Sequence, residues 1–209
     1  MFIFDRKILM ALILTFAILA CGATTPSPSE SSAATGQTAT VPAVMSQNGF
    51  SDKPAIPNDS GIDGVQTFPD KAAYHDHVDV VTDPGSDLPP TFGAHYPKWQ
   101  NCGIYDKPVA LGNALHSMEH GAVWLTYSPG LSAAQIIDLQ ALVRGHSYVL
   151  MSPYEKQTTP VVMTAWGVQL VINSLPDDRI AKFIAYYEEG PQDSERGAPC
   201  SGAIGTPLQ

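Results

Sequence analysis

Of the 22 residues between Gly22 and Ala43, 19 are Ala, Thr, Ser, Pro or Gly, and none is aromatic. A segment of that composition cannot bury enough apolar surface to offset the entropy of ordering it. It reads as a flexible leash of low charge, and the polar stretch that continues to Gly64 reads as part of the same tether. The fold must therefore be built from the roughly 140 residues that remain, 65–209, enough for one domain around one core.

The segment ahead of the leash has the pattern of an export signal. Arg6 and Lys7 form a short basic region, and the thirteen residues from Ile8 to Ala20 are apolar apart from Thr15. A membrane-spanning helix needs about 18 or more apolar residues, whereas a signal-peptide core needs about 7 to 15. Ile18-Leu19-Ala20-Cys21-Gly22 resembles a lipobox, at which bacterial lipoproteins are cut and their cysteine acylated. The expectation is a signal peptide over 1–20, a lipid-modified Cys21 opening a tether over 21–64, and extracytoplasmic display from a bacterial membrane. The alternative is an ordinary secretory signal that contains a cysteine.

The chain carries a net charge of −9. Loss of Asp5, Arg6 and Lys7 would remove one net positive charge, leaving about −10, which argues against nucleic acid and against docking on anionic headgroups. With Cys21 assigned to the anchor, Cys102 and Cys200 remain in an oxidising compartment. A disulfide is the expected reading, and shared ligation of a soft metal the alternative.

Within the domain, Tyr74 to Thr82 alternates enough to predict a strand, followed by a Pro/Gly-rich loop to Pro97 that Pro89-Pro90 stiffens. Asn113 is placed as the cap of a short helix reaching His120, stopped by Gly121. Strands are expected over Ala122–Tyr127, Tyr148–Met151, Val161–Trp166 and Val168–Asn173. Ser132 and Gln135 form a capping box for a helix to Arg144. Asp177 is placed as the cap of a last helix, whose Ile180, Phe183, Ile184 and Tyr187 keep helical spacing. The order predicts a single α+β domain: one mainly antiparallel sheet packed by two amphipathic helices, plus a short His-bearing helix.

The chemistry lies in the histidines, all six of which fall between His75 and His146. No Gly-x-Ser-x-Gly, phosphate loop or dinucleotide motif is present. His116 and His120, four apart, share a helix face and could present two imidazoles to a metal. His95 on its stiffened loop and His77 are the further candidate ligands, while His75 and His146 are read as exposed. Met118 would suit copper(I), but on a helix it turns away from the histidines and joins the core. His116 to His120 also matches His-x-x-Glu-His, the inverzincin signature, yet Gly121 ends this helix at once. Glu119 is therefore read as a residue that orients a histidine.

Pro89-Pro90-Thr91-Phe92-Gly93-Ala94-His95, Trp99-Gln100-Asn101-Cys102-Gly103-Ile104-Tyr105, His116-Ser117-Met118-Glu119-His120-Gly121 and Thr164-Ala165-Trp166-Gly167 together resemble the family DUF3105, a domain of unknown function, over about Tyr74 to Pro207. The resemblance implies bacterial envelope proteins, often lipid-anchored or membrane-tethered, with no established enzymatic activity. Its polar motif positions are His77, His95, His116, Glu119 and His120.

The sequence thus points to an envelope lipoprotein that binds a metal, copper first and zinc second, through His77, His95, His116 and His120. Its role would be capture, buffering or delivery, with an envelope protein as a possible partner and no nucleic acid. Two other readings stand beside it: a zinc hydrolase using Glu119 as base, and a structural or partner-binding lipoprotein whose histidines hydrogen-bond in the core, a reading that requires the four to be scattered.

Overall fold

Five-residue runs rich in Val, Leu and Met build the sheet, because β-branched and apolar side chains fit a pleated surface buried on both faces. The computed structural model describes residues 49–208; the expected signal peptide, Cys21 and the tether up to residue 48 lie outside them. Six strands, β1 (Gln66–Thr67), β2 (Gly103–Ile104), β3 (Val123–Tyr127), β4 (Val149–Pro153), β5 (Val161–Ala165) and β6 (Val168–Ile172), form one sheet in the order β1-β6-β5-β3-β4-β2. The β1-β6, β6-β5 and β5-β3 pairs are antiparallel, and β3-β4 and β4-β2 are parallel. The fold is α+β as expected, its sheet mixed about β3. Parallel neighbours need a crossover, and α2 (Ala133–Val143) supplies it between β3 and β4.

Alternation sorts the strand residues onto two faces. Val123, Leu125, Met151, Met163 and Leu170 meet Leu139 and Val143 of α2 and Ile180, Phe183, Ile184 and Tyr187 of α3 (Arg179–Tyr187). Trp124, Leu150 and Trp166 meet Ala114, Leu115 and Met118 of α1 (Leu111–Glu119) on the other face. Met118 is fully buried there, in the core as its helical position required.

The second layer is more polar. Gln169 donates to the Pro89 carbonyl at 2.8 Å, and Gly167 N to the Thr91 carbonyl at 3.0 Å, so the proline-stiffened loop lies across this face. Every residue of α1 from Gly112 to Glu119 is buried. The helix begins before Asn113, with Ala110 as its N-cap. The Asn113 amide instead donates to the Lys98 carbonyl at 2.5 Å, and Ser117 Oγ donates to the Gln100 carbonyl at 2.7 Å. Both side chains therefore tie α1 to the 98–101 loop. Gly121 has φ of +109°, and a Cβ there would fall 2.9 Å from Asp193 Oδ2, so only glycine serves as the stop.

Two local expectations change. Tyr74–Thr82 is not a strand: Ala72–His75 is a 3-10 turn, and His77 makes one parallel bridge to His95. Its alternation carried polar residues to both faces and so had no apolar side to bury. Asp177 caps α3 with its side chain, which accepts from Arg179 N at 2.9 Å, while Asp178 already has helical φ/ψ and makes no side-chain cap bond. Residues 49–64, assigned by composition to the tether, lie against the domain. Phe50 stacks on His75 at 3.9 Å, Asp52 accepts from Ala72 N at 2.8 Å, and Ile62 is buried in the core. The capping box of Ser132 and Gln135 forms as read.

Cys102 and Cys200 form a disulfide across 98 residues, with Cα atoms 5.3 Å apart, joining the loop before β2 to the C-terminal tail as expected. Among the described residues no helix is long and apolar enough to cross a membrane.

Candidate metal centre

Three segments of the second layer bring the histidines together. The bridge between His77 and His95 is flanked by Val78 N to His95 O at 2.8 Å and His95 N to Asp76 O at 3.0 Å. The last turns of α1 supply His116, Glu119 and His120. Ring centroids are 5.1 Å apart for His77–His95, 4.8 Å for His77–His116, 4.8 Å for His95–His116 and 4.5 Å for His116–His120. Ligand atoms of His77, His95, His116 and Glu119 all lie within 4.8 Å of one another. His77 is exposed and the other three are buried. Four tetrahedral ligands of a zinc-sized ion are separated by about 3.4 Å, so a modest contraction would complete the set. The cluster could hold a metal ion.

One device fixes the ring tautomers. His95 Nδ1 lies 2.9 Å from the Gly93 carbonyl, His116 Nδ1 2.6 Å from that of Tyr96, and His120 Nδ1 2.7 Å from that of Pro199. A carbonyl only accepts, so each Nδ1 carries a hydrogen, and in the neutral ring each Nε2 presents a lone pair. Metal-binding histidines are oriented in this way. Burial holds His116 down at a pKa of about 4 against its bond to Tyr96, with the neighbouring imidazoles adding to the effect; its lone pair is thus free at neutral pH.

Glu119 sits between imidazoles. Its Oε1 accepts from His75 Nδ1, and its Oε2 lies 2.9 Å from His95 Nε2. Burial alone would push its carboxyl up, but the His75 hydrogen bond and the adjoining His95 ring outweigh that and hold it at about 2. His75, read from sequence as exposed, is 1 % exposed. Its Nε2 donates to Asp70 Oδ2 at 2.9 Å. Burial pulls its pKa down, yet the two carboxylates prevail and raise it to about 9. Asp70, His75 and Glu119 thus form a carboxylate–imidazolium–carboxylate chain behind the cluster. Trp166 walls it, 5.1 Å from the His75 ring and 5.9 Å from the His95 ring, which gives the Thr-Ala-Trp-Gly motif a place in the site.

His120 adjoins the cluster outside the group of four; its Nε2 lies 3.5 Å from Glu195 Oε2. His146 is exposed, as read, and bonds Glu188 at 2.5 Å. Asp70 and His75 were missed. The pairing of His75 with Glu119 spans 44 residues and has no local signature; only its place two residues before His77 hinted at it.

The His75 chain makes alkaline pH a test. A folded pKa raised from 6.5 to about 9 stabilises fully below 6.5 and is lost as pH rises through 9. The expected loss is about 3 kcal/mol, read as a falling urea midpoint of the metal-free protein from pH 6 to 10. His75→Gln should flatten that slope. Equal slopes in the two proteins would contradict a charged His75.

An α+β domain whose second layer gathers imidazoles and a carboxylate able to hold a metal ion is the class that this fold and cluster define. The family described as "Protein of unknown function (DUF3105)" matches residues 85–202, and the chain belongs to it. No curated protein and no solved structure matches the chain. The matched span includes His95, His116, Glu119 and the disulfide, while Asp70, His75 and His77 precede it.

Proposed function

We propose that this chain is a metal-binding envelope protein whose ion sits among His77, His95, His116 and Glu119. One observation carries the reading. His95 Nε2 is buried 2.9 Å from a Glu119 carboxylate oxygen, while its Nδ1 hydrogen is committed to Gly93. A positive charge belongs between these two atoms, carried by a proton on Nε2 or by a metal ion that displaces it. Three imidazoles and a carboxylate, with Met118 in the core, suit a divalent first-row ion, copper(II) ahead of zinc by affinity. One exposed ligand among buried ones favours an ion that is taken up and passed on, hence capture, buffering or delivery. Both Glu119 oxygens face imidazoles, which leaves the hydrolase reading without a free base; the scattered-histidine reading lacks its premise.

Copper(II) or zinc titration of the full-length protein should fill this cluster with one equivalent. A His95→Ala, His116→Ala double variant should lose it. A folded wild-type protein that takes up neither ion would refute the assignment.

The envelope part of the proposal rests on the leader pattern, Cys21 and the disulfide, which suits an oxidising compartment. Acylation of Cys21 would anchor the chain, each buried methylene adding about 0.8 kcal/mol. Cys21→Ala should move the protein from the membrane to the soluble fraction; unchanged fractionation would rule the anchor out.

A further inference from the structure

We infer a second, outer cation position between His120 and Glu195. His120 is 3 % exposed, and its Nδ1 hydrogen is committed to the Pro199 carbonyl at 2.7 Å. Its Nε2, which carries a lone pair in the neutral ring, faces the Glu195 carboxylate 3.5 Å away. That is too long for a hydrogen bond. It matches the separation of about 3.4 Å between two ligands of one tetrahedral zinc-like ion, each 2.0–2.2 Å from the metal.

The pair is also held in place. Glu195 N donates to the Glu119 carbonyl at 3.2 Å, so the backbone of the outer acid hangs on the residue that serves the inner cluster. The Pro199 carbonyl that fixes His120 precedes Cys200, which the disulfide ties to Cys102. Trp99 covers the flank, 5.0 Å from the His120 ring and 5.7 Å from that of His116. Glu195's side chain is 42 % exposed, so an ion held here keeps water on its open side and exchanges readily. The His116 ring, 4.5 Å from that of His120, links this position to the inner cluster. Two protein ligands make it the weaker site, suited to borderline divalent ions that take imidazole and carboxylate together. Its purpose, staging an ion beside the inner cluster, rests on the reading proposed above; its chemistry does not.

Cobalt(II) titration of the full-length protein, followed by its visible absorption and by equilibrium dialysis, tests the inference. Wild type should bind two equivalents in a tight step and a weak one. His120→Phe should lose the weak equivalent and keep the tight one. Glu195→Gln, at a partly exposed side chain whose replacement leaves the core intact, should do the same. Two equivalents retained in both variants, or one tight equivalent in wild type, would overturn the outer position and leave the inner cluster standing. A single equivalent abolished by His120→Phe and unaffected by His95→Ala with His116→Ala would uphold the outer position and sink the inner one. No binding by wild type would sink both.

Discussion

Glu119→Gln is expected to lower the stability of the metal-free protein by about 3–5 kcal/mol, the usual cost of removing one partner from a buried charge pair. The side chain is 1 % exposed and faces the ring of His75, itself wholly buried. Glutamine fills the same volume but takes the Glu119 carboxylate away from the His75 imidazolium. For a domain of this size the fall in melting temperature at pH 7 should be roughly 10 °C. Adding His75→Gln should restore part of the loss, because the second substitution removes the charge that the first stranded. Strict additivity of the two changes would show that the pair is not coupled. The same variant should weaken copper(II) or zinc binding by more than the ten- to hundredfold expected of a group that only orients a ligand. A smaller loss would return Glu119 to the orienting role that the sequence suggested.

Reduction of Cys102–Cys200 is expected to cost up to about 4.7 kcal/mol, the chain-entropy value for a loop of about 100 residues. The closed loop spans 98 residues and contains all the helices and strands from β2 onward. The tail it holds is tied by backbone and side chain alike: Asn101 N donates to the Ile204 carbonyl at 2.7 Å, and Trp99 Nε1 to that of Ser201 at 3.2 Å. Denaturant midpoints of the oxidised and reduced full-length protein give the difference. Thiol labelling of the denatured, unreduced chain should mark neither Cys102 nor Cys200. Labelling of both, or coincident midpoints, would contradict the bond.

Elements specified by neighbouring residues were legible in the sequence. The Ser132 capping box, the apolar spacing of α3 and the apolar-rich runs of β3 and β5 each state their structure within a dozen residues. The site was legible in part for the same reason, since four-residue spacing places His116 beside His120 and prolines stiffen the approach to His95. What escaped reading depends on partners far along the chain. His75 is buried because Asp70 and Glu119 neutralise it, and nothing in Tyr-His-Asp-His announces the second of these. The parallel half of the sheet depends on which edge of β3 receives β4, a choice that burial settles and local pattern does not. Phe50 sits in a polar stretch, and the surface it stacks on is the flat ring of His75, whose burial is itself non-local.

The two layers of this domain also differ in the order in which they can assemble. The β5-β6 hairpin closes across two residues, and β3, α2 and β4 are consecutive, so the apolar layer grows from contacts close in sequence, which form early. The layer carrying the histidines needs Asp70, His95, Glu119 and Pro199 to meet across most of the domain, and such closures come late. Opening of those contacts in the native state would part segments that lie far apart in the chain. An ion held there would act as a clasp on that opening, slowing hydrogen exchange at the amides of His95 and His120 well before it altered exchange in β3 or β5.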